Sequence, residues 1–130
     1  MANPNIVNVA SIYGESLGWI LTSTLTTTLF TVSSSRLIKI NRIICANTDG
    51  ANPAELDLTV HPSVQTSSGG TVASGATAIT LAKTLSVPAD AVLVILDTPI
   101  YLREGDIIKG GANAAGDLDL FMSFEVIADG

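Results

Sequence analysis

The sequence predicts an all-β chain, an antiparallel β-sandwich of jelly-roll-like or immunoglobulin-like kind with an extended N-terminal arm. Two observations predict it. Between Val87 and Gly110 three apolar runs are separated by turn residues, and no helix-period pattern of useful length interrupts them. Near the C-terminal end, Leu118, Leu120, Met122, Phe124 and Val126 recur at period two, the spacing that sets one face of a strand toward a core.

The elements follow in order. Ile6 to Tyr13 reads as an N-terminal arm or edge strand that Gly14 stops, so residues 1–14 are set apart from a sandwich of residues 15–130, all within one domain. Leu17, Trp19, Leu21 and then Leu29, Phe30 and Val32 give two strands with a bend between them. Ser33-Ser34-Ser35 is a turn. In Leu37 to Asn47, Ile38 and Ile40 share a phase that Arg42 interrupts, so either Arg42 snorkels or a bulge resets the register. Thr48 to Pro53 carries the Asp49-Gly50 turn signal. Leu56, Leu58 and Val60 then alternate with polar residues in a half-buried strand. Ser63 to Thr77 is a small, polar loop. Strands follow at Ala78–Leu85, Ala91–Leu96, Ile100–Leu102, Ile107–Lys109 and Leu118–Ile127. Pro88-Ala89-Asp90, Glu104-Gly105-Asp106 and Gly110 to Gly116 turn the chain between them. Ala91 to Leu96 is apolar at every position, which predicts cover on both faces, from the chain's own sheets or from a neighbouring subunit.

Composition limits the function classes. Hydrophobic residues make up 47% of the 130 and charged residues only 14%, against a norm of about 25%, so the surface must be hydroxyl-rich, small or apolar. Such a surface is suited to being covered, and equally to threonine-rich strands that carry their polar face to water as hydroxyls. The net charge is −6 and the six basic residues are scattered, which disfavours direct binding to nucleic acid. Cys45 is the one cysteine and lies in an apolar segment, so no internal disulfide forms. Met1 to Asn5 shows no basic region ahead of an apolar one. The longest apolar run, Ala91 to Leu96, is far short of the roughly 20 residues of a membrane span. The expectation is a soluble protein made in a reducing cytosol, without a membrane partner.

Few residues carry chemistry. Gly14-Glu15-Ser16-Leu17-Gly18 matches the G-x-S-x-G nucleophile elbow, but a strand-like run follows it where the elbow needs a helix. The single histidine, His61, has no marked acid beside it and reads as an exposed strand residue. One Cys and one His cannot make a zinc cluster. Asp117 with Asp119 and Glu104 with Asp106 could offer oxygen ligands to calcium, but turn-capping is the better account. The glycine pairs at 69–70 and 110–111 lack the lysine of a phosphate-binding loop and read as loop glycines. Trp19 and Tyr101 are the two plausible sugar-stacking platforms. No catalytic, cofactor-binding or metal-binding residue is expected. The candidate subunit or capsid interface is Ile6, Val7, Val9, Ile12 and Tyr13 on the arm, with Phe121 and Ile127 on the polar side of the last strand, for which two cover by the N-terminal arm is the first account and a subunit contact the second.

Three segments together resemble a family of small virion structural proteins of tailed bacteriophages, β-sandwiches that decorate or cement the capsid. They are Ala2 to Val9 with Ser11-Ile12-Tyr13-Gly14, Lys39 to Gly50, and Val87-Pro88-Ala89-Asp90 through Pro99 to Asp106. The resemblance implies a capsid-surface protein, made in the host cytoplasm, whose partners are the major capsid protein and further copies of itself, a trimer foremost. It implies no catalytic residues and no cofactor. A tail, neck or other appendage component comes next, and a receptor- or glycan-binding module third.

Overall fold

The computed structural model describes residues 9–73 and 77–129. Among the described residues nine strands form two antiparallel sheets: β1 (Val9–Ile20), β2 (Thr28–Thr31), β3 (Arg36–Asn47), β4 (Ala54–His61), β5 (Ile79–Val87), β6 (Val92–Leu96), β7 (Ile100–Leu102), β8 (Ile107–Ala112) and β9 (Leu118–Asp129). One sheet runs β1-β9-β3-β6, with β7 also paired to β3, and the other runs β2-β8-β4-β5. With β6 and β7 taken as one interrupted strand, the chain crosses between sheets at every connection except β4 to β5. The first and last strands lie side by side. That order is the double Greek key of a jelly roll, and it excludes the immunoglobulin-like alternative.

The core is the facing sides of the two sheets. Ile38, Ile40, Ile43 and Cys45 of β3 and Leu118, Leu120, Met122, Phe124 and Val126 of β9 meet Leu56, Leu58 and Val60 of β4 and Ile108 of β8. Phe124 and Phe30 join the sheets, with ring centroids 5.4 Å apart and planes tilted by 52°. In β3 the register shifts between Ile40 and Arg42, so the bulge, not a snorkelling arginine, returns Ile43 to the core.

Polar side chains hold the connections. Asn47, buried at the end of β3, donates to the carbonyls of Asn52 (3.0 Å) and Val87 (2.9 Å), and its own oxygen accepts from the Asp49 amide (2.9 Å). Asp49 accepts from the amides of Ala51 (2.8 Å) and Asn52 (3.3 Å), which hold its carboxyl below its ordinary value. The Glu104-Gly105-Asp106 turn works likewise. Glu104 accepts from the Ser35 amide, and Asp106 accepts from the amides of Ser63 and Arg103, each at 2.9 Å. Both carboxylates are buried and both cap backbone donors.

Four sequence expectations change. Gly14 does not end a strand: β1 continues through it to Ile20, paired with β9 along the whole segment from Ser11. Gly110 and Gly111 belong to β8, not to a loop. The strands β5 and β9 run two residues beyond the expected ends, to Val87 and Asp129. Finally, the chain's own sheets cover β6 on one side only. It pairs with β3 at the border of its sheet, and Val92 and Val94 face solvent while Leu93 and Ile95 pack on the core.

Candidate functional site

The outer face of the β1-β9-β3-β6 sheet is the most unusual surface of the molecule. Directly paired residues share a face, so the registers define its ladder. One rung is Ile20, Asp119, Ala46 and Val92, and the next is Gly18, Phe121, Ile44 and Val94. A third holds Ser16, Ser123 and Arg42. The fourth is Gly14, Glu125, Lys39 and Tyr101, and the last is Ile12, Ile127 and Leu37.

Apart from Asp119 the first two rungs are apolar, and much of them is wet: Ile20 is 71% exposed, Val92 60%, Val94 52% and Phe121 46%. The Phe121 ring leans toward β1 into the space that Gly18 leaves, where a Cβ would stand 3.3 Å from its Cδ1. Gly14 has no side chain near it, which leaves a recess beside Glu125. The charged groups gather at the fourth rung. Lys39 Nζ lies 3.7 Å from Glu125 Oε2, and Asn41 Nδ2 donates to the same oxygen at 3.2 Å.

The interface residues expected from sequence fall in different places. Ile6 and Val7 lie outside the described residues, and Val9 begins β1. Ile12 and Phe121 are exposed on this outer face. Tyr13 is exposed on the opposite side of β1, opposite Val126 of β9. Ile127 is only 8% exposed, packed between Ile12 and Leu37 on its rung, so it is not a free surface residue. Sequence reasoning missed Ile20, Val92 and Val94. For Val92 and Val94 the run of apolar residues hid the pattern, since no polar residue marks the wet side of β6.

The residues weighed for chemistry do not converge. Ser16 sits mid-strand opposite Ser123, with no turn on either side of it. His61, on the other sheet, shares a hydrogen bond with Thr59 Oγ1 at 3.1 Å. Among the described residues no group of three or more His, Cys, Asp or Glu could hold a metal ion. Trp19 packs against the core, while Tyr101 stays exposed. A depression of about 280 Å³ beside Tyr101 is bordered by Thr66, Arg103 and Asp106. Its charged groups are already engaged, Arg103 with the Thr66 carbonyl and Asp106 with Ser63. Burial, and after it the charge of Asp119, pushes the Cys45 thiol up to about 11, which keeps it protonated and unreactive.

No protein-family model matches the chain, and no curated protein matches it. Among solved structures, the infectious bursal disease virus VP2 subviral particle is similar at 17% identity and a TM-score of 0.42, over 92% of this chain and 33% of that one. The chain thus spans about a third of that neighbour's length. The likeness is distant, and the jelly-roll assignment rests on the strand order.

Proposed function

We propose that this chain is a non-enzymatic structural component of a virion, in the first place a decoration or cement protein that binds the assembled capsid as a symmetric homo-oligomer. One observation carries the reading: a charge-poor sandwich presents a sheet face on which Phe121, Val92, Val94 and Ile20 are exposed around a half-buried Ile44. A lone domain gains nothing by leaving such a band to water, whereas a subunit of an assembly buries it. The resemblance of the Lys39 to Gly50 and Val87 to Asp106 segments to phage virion proteins supports the same reading. A cement protein acts by mass action. It binds the closed shell better than its separate parts and so shifts the equilibrium toward the shell.

The test is where the chain sits and in how many copies. Quantitative mass spectrometry of purified particles should find roughly hundreds of copies, and added protein should raise the temperature at which protein-depleted shells come apart. A count of about a dozen or fewer, the number a closed ring supplies, would move the assignment to a tail or neck component. Absence from particles would refute the reading.

A further inference from the structure

We infer that the outer face of the β1-β9-β3-β6 sheet packs against the same face of a second copy, about a two-fold axis that runs parallel to the strands between β9 and β3. The inference goes beyond the virion reading and is tested on the isolated chain. A half-turn about such an axis exchanges β9 with β3 and β1 with β6 and β7, and keeps every rung in place. Phe121 then meets Ile44 of the second copy, and Ile20 meets Val92. Glu125 meets Lys39 and the bare backbone of Gly14 receives Tyr101, so opposite charges and opposite shapes coincide.

The charges also select this axis over the other one available. A two-fold axis across the strands would bring Asp119 of one copy onto Glu125 of the other, or these carboxylates onto Phe121 and Ile127, all of which lie on β9. Either arrangement sets both carboxylates in a like-charge or apolar contact, whereas the axis along the strands pairs Glu125 with Lys39 and leaves only Asp119, on the end rung of the face, against an apolar residue, Ala46 of the second copy. Stacked sheets turn by about 30° on one another, which leaves the central pairs in register and lets the corners slide. From Ile12 to Ile20 the face is about 27 Å long and about 19 Å wide by ordinary strand spacing, roughly 500 Å² per copy and about 1,000 Å² in total. That total sits at the lower limit for a specific interface, so the pairing is concentration-dependent rather than obligate.

Sedimentation equilibrium of the full chain over a wide concentration range reads the association directly. The expected result is a monomer-dimer equilibrium in which Val94→Asp raises the dissociation constant at least tenfold while its circular dichroism stays native. Lys39→Glu and Glu125→Lys, each alone, should weaken the dimer by setting like charges against each other, and an equimolar mixture of the two should recover it as heterodimers. The mixture is decisive, because Lys39 and Glu125 also pair within one copy and only a contact between copies is restored by mixing. A chain that stays monomeric throughout, an assembly indifferent to Val94→Asp, or single variants whose mixture gains nothing overturns the inference. None of these outcomes bears on whether the chain is found in particles.

Discussion

Gly111→Ala tests how closely the chain packs where β8 passes the segment after β1. A Cβ on Gly111 would stand 2.6 Å from the Thr24 carbonyl oxygen and 2.9 Å from that of Thr22. Both obstacles are backbone, so neither can rotate aside, and the 21–27 segment must move as a whole. That segment is tied to β8 by hydrogen bonds from the Ala112 amide to Thr22 (2.9 Å) and from the Gly110 amide to Thr27 (3.0 Å). Overpacking costs about 1–3 kcal/mol and each hydrogen bond lost about 1 kcal/mol, so the substitution should destabilise by about 3–5 kcal/mol. Against a total of about 5–15 kcal/mol this is a large share of the fold. Urea unfolding followed by tryptophan fluorescence measures it, as a fall of about 2 M in the midpoint at unchanged slope. Gly70→Ala is the control: a Cβ there meets nothing within 4 Å, and its effect should stay within about 0.5 kcal/mol. A Gly111→Ala protein within about 1 kcal/mol of the parent in the same titration would refute the close-approach account.

Three further outcomes follow from buried groups. Asp106→Asn puts an amide donor where the carboxylate now accepts from both Ser63 and Arg103, and should cost about 2–3 kcal/mol in chemical unfolding. Phe124→Ala should cost about 3–5 kcal/mol, and a double-mutant cycle with Phe30→Leu should show a coupling of about 0.5–1.5 kcal/mol for the tilted ring pair. Cys45 gives a pH signature. Its folded thiol is raised to about 11 from 9.0, so between these values the unfolded chain releases a proton that the folded chain keeps. Stability must therefore fall as pH rises through that window, by about 2–3 kcal/mol, and Cys45→Ala should lack this part of the slope.

Local periodicity carried much of the fold. The alternation of Leu56, Leu58 and Val60 and the broken phase at Arg42 are visible in the sequence because each is a contest between neighbours a few residues apart. What stayed hidden depends on distant partners. Gly14 looks like a strand end by propensity, but pairing with β9 from Ser11 to Ile20 holds it extended. The letters of the nucleophile elbow arise from the same strand, in which Gly14, Ser16 and Gly18 fall at period two on the outer face. Gly110 and Gly111 look like loop residues until the carbonyls of Asp57, Thr22 and Thr24 are seen crowding them. The outer face itself could not be read locally, since Val94, Ile44 and Phe121 come from three strands that only the jelly-roll order makes neighbours.

That arrangement separates what stabilises the chain from what lets it associate. Met122 and Phe124 are sealed between the sheets, so changing them alters the folding equilibrium. Phe121, between Leu120 and Met122 in sequence, points the other way, and β9 thus carries a wholly apolar core face and an outer face on which Phe121 is an exposed apolar residue among Asp119, Ser123 and Glu125. Val94 and Ile20 are more than half exposed already, so a polar replacement there removes little buried area from the monomer and its cost should stay within about 1 kcal/mol. The same replacement would abolish any contact that needs the outer face dry. Measured together, unfolding free energy and association constant should therefore vary independently along one strand, residue by residue, at period two. A loss of both at Phe121, Val94 and Ile20 would mean that the face supports the fold itself, and the assembly role drawn from it would fall.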